Sequence, residues 1–348
     1  MLQKRILLIK RGAMGDILMT TPLIRQLRQN FPDSQIDYCL AKPFESVLSK
    51  NQNLNNIIAL DDKVFTIKGI LKFIKFLISV RRKYDYIFIL DKHWYFNLMA
   101  RMIGATTIGF CRDRFSKLFL SKSVKYNDVN RYQVLYYLDL LSASNLTAPN
   151  YEDICLDLVI SEGDKLNVAN KLSELQIDKY VVIVNSGGNN QYETSGVRML
   201  PKEKVLRLIN GLLDNGGKVI LLGGNQDKGN YANYINELNT PMNIYNFAGA
   251  LSLASSAWLI NNAEYFYTTD CGAMHLGVAM KVYVKMTAFF GPTNPRHIIP
   301  IQHMNCTVWN DELIYDPNYQ LYGDVDSKHP RFFNNIDINK YLLGSNNG

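Results

Sequence analysis

Arg5-Ile6-Leu7-Leu8-Ile9-Lys10-Arg11-Gly12-Ala13-Met14-Gly15-Asp16-Ile17 is the stretch on which the fold turns. Residues 5–10 are an apolar run of strand type. A glycine turn follows, and residues 17–30 then repeat apolar side chains at helical period. The same alternation continues outward, with strands expected at 36–41, 57–60 and 86–90 and helices at 43–50 and 68–83. Strands alternating with helices argue for a parallel sheet covered on both faces. Past residue 160 the pattern starts again. Helices are expected at 162–175, 202–215, 231–238 and 273–280, and strands at 181–185, 218–222, 265–269 and 282–290, with a short last helix at 338–343. The reading is an α/β protein of two Rossmann-like domains, 1–160 and 161–325. Residues 326–348 form a C-terminal tail expected to pack back on the first domain. The two halves share no detectable sequence repeat.

Composition narrows the setting. The chain has 348 residues, 47% of them hydrophobic, enough for a core in each half. Its longest greasy region, 67–80, is interrupted by Lys68, Lys72 and Lys75, and the run at 6–9 is too short for a signal-peptide core or a membrane span. Five scattered cysteines (Cys39, Cys111, Cys155, Cys271, Cys306) without a CxxC pair read as reduced cytosolic thiols and not as a zinc site. Residues 1–160 hold 23 Lys/Arg against 14 Asp/Glu, a balance of +9, while 161–348 hold 15 against 17. The basic half suits an anionic partner such as a phosphorylated lipid or a membrane surface, or is simply a basic surface. The excess is diffuse and no nucleic-acid motif accompanies it, which sets that partner aside.

In such sheets ligands lie beyond the carboxyl ends of strands, and two facing domains would enclose a central cleft. Chemistry is therefore expected in loops 11–16, 186–198, 223–227 and 270–275. Gly12 and Gly15 let backbone approach a ligand, but their spacing is not GxGxxG, so a dinucleotide fingerprint is absent. Asp16 reads either as a helix N-cap or as a general base. In Thr268-Thr269-Asp270-Cys271-Gly272-Ala273-Met274-His275 a polar strand end opens a helix, whose N-terminus favours an anion. Gly272 gives a phosphate room, while Asp270 reads as an N-cap or a hydroxyl acceptor, and His275 as a packing residue or a ligand. Ser186 and Gly187 with Arg198 offer a second phosphate loop, and Gly224 with Asp227 a nucleoside contact or a tight turn. Asp324-Val325-Asp326 reads as a solvated turn and no metal is expected. The stripe Lys68, Lys72, Lys75, Ser79, Arg82 makes a basic amphipathic helix, suited to a sheet-covering role or to an anionic membrane.

Taken together these segments resemble the heptosyltransferases, glycosyltransferase family 9. The resemblance rests on residues 5–10, Gly12-Ala13-Met14-Gly15-Asp16-Ile17 and Thr21-Pro22-Leu23 in the first half, and on Thr269–Leu276 with Phe290-Gly291-Pro292-Thr293 in the second. It implies the GT-B fold and an inverting, metal-independent sugar transfer from ADP-heptose to a hydroxyl of a lipopolysaccharide core. The enzyme would be cytoplasmic, in peripheral contact with the inner membrane, and would need no cofactor beyond the nucleotide-sugar substrate. By resemblance Asp16 is the catalytic base, Arg198 lies near the donor diphosphate, Asp270, Gly272 and His275 match donor-binding positions and Asp227 falls near a nucleoside contact, while Ser186, Gly187, Gly224 and Cys271 belong to the same donor-side loops and Gly12, Met14 and Gly15 to the acceptor-side loop. Cys271 stands where the family has Thr or Ser, and 186–197 is longer than the family's loop, so the donor sugar is left open. The alternatives are a different nucleotide-sugar donor or a non-catalytic nucleotide-sugar binder.

Overall fold

Residues 6–9 are buried on both sides of the chain, as expected of a central strand in a sheet with covered faces. The computed structural model describes residues 3–65, 69–92, 94–101, 104–111, 114–127, 130–187, 196–238, 241–304, 308–310 and 332–342. The chain divides into two compact units, Met1–Leu158 and Val159–Gly348.

In the first unit β1 (Arg5–Ile9), β2 (Gln35–Ala41), β3 (Asn56–Leu60), β4 (Tyr86–Ile89), β5 (Thr106–Cys111) and β6 (Lys122–Lys125) form one sheet in the order β3-β2-β1-β4-β5-β6. Every pair is parallel. Leu7 on β1 stands level with Asp37 of β2 and Ile87 of β4. Asp37 is a buried carboxylate in this sheet, and the Tyr84 hydroxyl (2.7 Å), the Gln35 amide (2.6 Å) and the Asn56 amide (2.9 Å) all donate to it. Among the described residues, the α-helices that accompany the sheet are α1 (Met14–Leu18), α2 (Thr21–Asn30), α3 (Ile70–Ser79), α4 (Trp94–Arg101), α5 (Arg114–Leu118) and α6 (Gln133–Ser144). Phe73 and Leu77 of α3 and Phe96 of α4 pack in one core cluster with Leu7, Ile9, Ile87 and Ile89.

The second unit repeats the plan. Its strands are β7 (Val181–Val184), β8 (Val219–Leu221), β9 (Ile244–Asn246), β10 (Tyr265–Thr269), β11 (Met286–Phe290) and β12 (Val308–Asn310), again parallel and in the order β9-β8-β7-β10-β11-β12. Counted from each unit's first strand, both orders read 3-2-1-4-5-6, the dinucleotide-fold order with its switch point between strands 1 and 4. Its helices are α7 (Glu162–Glu174), α8 (Lys202–Asp214), α9 (Lys228–Asn236), α10 (Leu253–Asn262) and α11 (Gly272–Ala279).

Several expectations change in detail. The single helix expected over 17–30 is two, broken at Met19–Thr20, where Thr20 and Thr21 turn their hydroxyls back onto the carbonyls of Ile17 and Leu18 at 2.7 Å. The helix expected at 43–50 is a 3-10 segment, Lys42–Val47, and the strand expected from 282 begins at Met286 after a 3-10 turn. The described part of the tail packs within the second unit. Ile336 and Ile338 sit in the second unit's core, the Lys204 ammonium donates to the Ile336 carbonyl at 2.8 Å, and the Tyr267 hydroxyl donates to the Tyr341 carbonyl. Two isoleucines at the end of a polar stretch satisfy themselves against the nearest apolar surface, α8 of their own unit. Ile338→Ala should therefore lower the stability of the second unit by about 2–5 kcal/mol, read by urea denaturation. A cost below about 0.5 kcal/mol would mean that the tail is not part of that core.

Candidate functional site

At the carboxyl end of β1 the chain leaves the sheet through Lys10. Its side chain is 4% exposed, yet it carries an ammonium 3.0 Å from Asp91 Oδ1 and 3.2 Å from Asp16 Oδ2. Burial disfavours its charge, but Asp16 and Asp91 outweigh that and hold its pKa above the usual lysine value. Asp91 follows β4, the strand beside β1, so the pair spans the switch point. The other Asp91 oxygen accepts the Arg11 backbone N–H at 2.7 Å, and the Arg11 guanidinium makes a two-pronged pair with Asp62 at 2.7 and 2.9 Å. Between these anchors lies Gly12, where a Cβ would stand 2.3 Å from the Phe44 ring. Met14 opens α1 and Gly15 is buried within it.

Asp16 is not an N-cap. That position belongs to Ala13, and Asp16 lies in the first turn of α1. Its side chain is 38% exposed. A solvent-accessible carboxylate beside a fixed cation, beyond the end of a central strand, has the chemistry of a general base. Sequence reasoning missed Lys10 and Asp91. The available signal was an apolar run that ends in a charge at each strand, Ile9-Lys10 and Leu90-Asp91.

In the second unit the loops after β7 and β10 are tied together. The Thr269 hydroxyl donates to the Ser186 carbonyl at 2.8 Å, and the Ser186 N–H donates to the Thr269 oxygen at 3.2 Å. Asn185 holds the segment before α8, its amide donating to the Leu200 carbonyl (3.1 Å) and its oxygen accepting the Leu200 N–H (2.8 Å). That fixes the stretch carrying Arg198, whose guanidinium donates to Asp270 Oδ2 at 3.2 Å. The same oxygen accepts the Thr293 hydroxyl at 2.5 Å. Asp270 is buried and is not a cap either, since Cys271 holds the N-cap position of α11. Its geometry makes it the anchor of Arg198, and Thr293 is a partner that sequence reasoning missed.

Gly272 begins α11 and His275 lies buried in its first turns. The Cys271 thiol is buried 3.7 Å from the Thr268 hydroxyl, and burial pushes its pKa up, so it stays a neutral thiol at the helix start. Gly187 follows Ser186, and a Cβ there would make ordinary contacts, 3.4 Å from Gly196 N and 3.6 Å from the Met199 side chain. Asp227 is also buried. Its carboxylate accepts the Gly224 N–H at 2.9 Å and closes the turn Asn225–Asp227, and the Ser186 side chain also bonds to it. The tight-turn reading of Gly224 and Asp227 is thus the one the geometry carries.

Ser186, Arg198, Asp227 and Asp270 come together around the ends of β7, β8 and β10. Residues 188–195 of the long loop and Asp324-Val325-Asp326 lie outside the described residues. Among the described residues there is no cluster of three His, Cys, Asp or Glu placed to hold a metal ion, and no helix long and apolar enough to cross a membrane.

Comparison with known proteins gives a consistent answer. Residues 72–320 match glycosyltransferase family 9 (heptosyltransferase). Lipopolysaccharide heptosyltransferase 3 of Escherichia coli K12 is 25% identical over 323 residues, covering 88% of this chain and 86% of that protein. Among solved structures, the family 9 glycosyl transferase from Veillonella parvula superposes with a TM-score of 0.75 at 20% identity, covering 97% of this chain and 94% of that one. The ADP-heptose lipopolysaccharide heptosyltransferase II of E. coli gives 0.69 at 22% identity, covering 95% and 97%. These likenesses show the shared GT-B fold.

Two outcomes test the geometry. Lys10→Met strands Asp91, a mostly buried carboxylate, and should cost about 3–5 kcal/mol. Lys10→Met with Asp91→Leu should recover most of it in a denaturation cycle, and a single-variant cost under about 1 kcal/mol would remove the ammonium as an anchor. For Asp227, burial raises the carboxyl pKa. Its contribution to stability is therefore full below the unfolded value of about 3.9 and is lost as pH rises through the raised value. Asp227→Asn, which keeps an acceptor for Gly224, should melt above the wild type at pH 8, with the gap closing toward pH 4. A gap that widens on acidification would reverse the sign.

Proposed function

The chain belongs to glycosyltransferase family 9, the heptosyltransferases, and from that premise we propose that it transfers heptose from ADP-heptose to a hydroxyl of a lipopolysaccharide core with inversion at the anomeric carbon. The observation that carries the reading is Asp16, an accessible carboxylate held at 3.2 Å by a buried lysine beyond the end of β1. In the proposed reaction Asp16 takes the proton of the acceptor hydroxyl. The oxygen attacks the anomeric carbon from the face opposite the diphosphate, and the carbon–oxygen bond to phosphate breaks with its electron pair on the leaving ADP.

The second unit supplies the donor site. Negative charge grows on the leaving phosphate, and the N–H groups opening α11 at Gly272 and the guanidinium of Arg198 are suited to stabilise it. Asp270 and Thr293 keep Arg198 in place, which reduces the reorganisation needed at the moment of reaction. Ser186 and Gly187 lie next to this helix start through Thr269, and His275 lies in it. A cation and a helix N-terminus together do for the diphosphate what a divalent metal does in other transferases, and the reading is therefore of metal-independent transfer with no cofactor beyond the nucleotide sugar.

Asp16→Asn should lower turnover by about 10²–10⁴-fold while leaving ADP binding unchanged. Binding is read by thermal shift, where ligand at about 100 times its Kd adds roughly 2.7 kcal/mol. Transfer should persist in EDTA. Near wild-type turnover by Asp16→Asn would remove it as the base, and stabilisation by UDP or GDP in place of ADP would overturn the donor.

A further inference from the structure

We propose that the outer faces of α3, α4 and α5 form a docking surface for an anionic phospholipid bilayer. Helix α3 buries Phe73 and Leu77 against the sheet but turns Leu71 (72% exposed) and Ile78 (58%) outward, one heptad apart. Lys72 and Lys75 are exposed between them. Helix α4 packs beside α3, with the Phe73 and Phe96 rings edge to face at 5.8 Å, and it exposes Leu98 and Arg101. The Arg101 guanidinium reaches the Leu118 carbonyl of α5 at 3.4 Å, and α5 exposes Leu118 (66%) with Arg114 and Lys117. Aliphatic tips and basic heads therefore interleave over three neighbouring helices.

Charge decides the occupant. Residues 63–84 hold seven Lys/Arg and no Asp or Glu, and α3, α4 and α5 contain no acidic residue. Of the described acidic residues that border them, Asp62 pairs with Arg11, Asp85 with Arg5 and Asp91 with Lys10, and Asp61 accepts the Lys63 N–H. The exposed Lys72, Lys75 and Lys117 thus sit on helices that carry no carboxylate of their own, a surface complementary to an external anion. A folded acidic protein would pair with the lysines but would leave Leu71, Ile78 and Leu118 against polar groups. A bilayer meets both needs, since leucine and isoleucine tips enter the acyl boundary while lysine and arginine stems lie along it with their charges among phosphates. The surface lies beyond the transfer chemistry. It rests on the proposed reading only in that a lipid-anchored acceptor gives the enzyme a reason to be at a membrane.

The test is flotation of the full chain with phosphatidylcholine vesicles and with vesicles that also contain anionic phosphatidylglycerol. Binding is expected to the second only and to be released by salt, since exposed charges are screened within about 10 Å at 0.1 M. Lys72→Ala with Lys75→Ala should weaken it roughly 30-fold, at about 1 kcal/mol per basic residue near the surface. Leu71→Glu with Ile78→Glu should abolish it, with the circular dichroism spectrum retained, while Leu166→Glu on the second unit binds as wild type. Absence of binding to anionic vesicles, or undiminished binding by the Leu71→Glu/Ile78→Glu chain, overturns the proposal. Both surface variants should keep wild-type transfer to a water-soluble acceptor lacking acyl chains, so failure of the docking surface and failure of the transfer reading are told apart.

Discussion

A lysine ammonium with almost no access to water sets the terms of the first unit. Stripping an ammonium of solvent costs several kcal/mol unless carboxylates meet it with good geometry. Lys10 meets two, Asp91 and Asp16. Asp91 is within reach only because β4 lies directly beside β1, although 80 residues separate it from Arg11. One carboxylate thus does two jobs. Its first oxygen holds the cation, and its second holds the backbone of the glycine turn through the Arg11 N–H. The position of Asp16 follows from that turn. The strand order, more than any local preference of the loop, places the accessible carboxylate.

The second unit has the same strand order and inverts the charges. Here the buried group is a carboxylate, Asp270 after its fourth strand, and the partner is a cation, Arg198, held from the segment after its first strand. Thr269 stitches the two strand ends directly. Nothing in the amino-acid sequence relates the halves, yet each joins groups from the ends of its first and fourth strands across the switch point. A parallel sheet opens a crevice there, and polar groups that line it must find partners.

How far this was legible depends on whether the deciding contact is local. The runs Arg5–Ile9, Val181–Val184 and Tyr265–Thr269 declare themselves as buried strands, and the glycine and polar clusters after them mark the loops that matter. Residues 91–160 carry little periodic signal, for a physical reason. Helix α6 is buried on nearly every side, with Tyr136, Tyr137, Leu138, Leu140 and Leu141 all inside, so it lacks the amphipathic period that betrays a helix. Strand β9 is three residues long and offers no alternation to read. Asp227 and Asp270 were recognisable as site-like carboxylates, but their burial and partners are tertiary facts. The sequence leaves Asp270 open between an N-cap and a hydroxyl acceptor and Asp227 between a nucleoside contact and a tight turn; in the fold Asp270 holds Arg198 and Asp227 closes the Gly224 turn.

The pairing of Asp16 with a cation works against a basic role, because a neighbouring positive charge lowers a carboxylate's proton affinity. The geometry answers this. Lys10 lies nearer to Asp91, at 3.0 Å, and Asp91 is the more buried of the two carboxylates. Part of the ammonium's field is therefore already met before Asp16 is considered. When the proposed base accepts a proton it becomes neutral, but Lys10 is not stranded, since Asp91 still compensates it. When the proton leaves, Asp16 returns to an ammonium that has not moved. A base held by a lone lysine would break a buried ion pair at each turnover. A base held by a lysine with a second, permanent carboxylate cycles between charged and neutral while the buried pair beneath it stays intact.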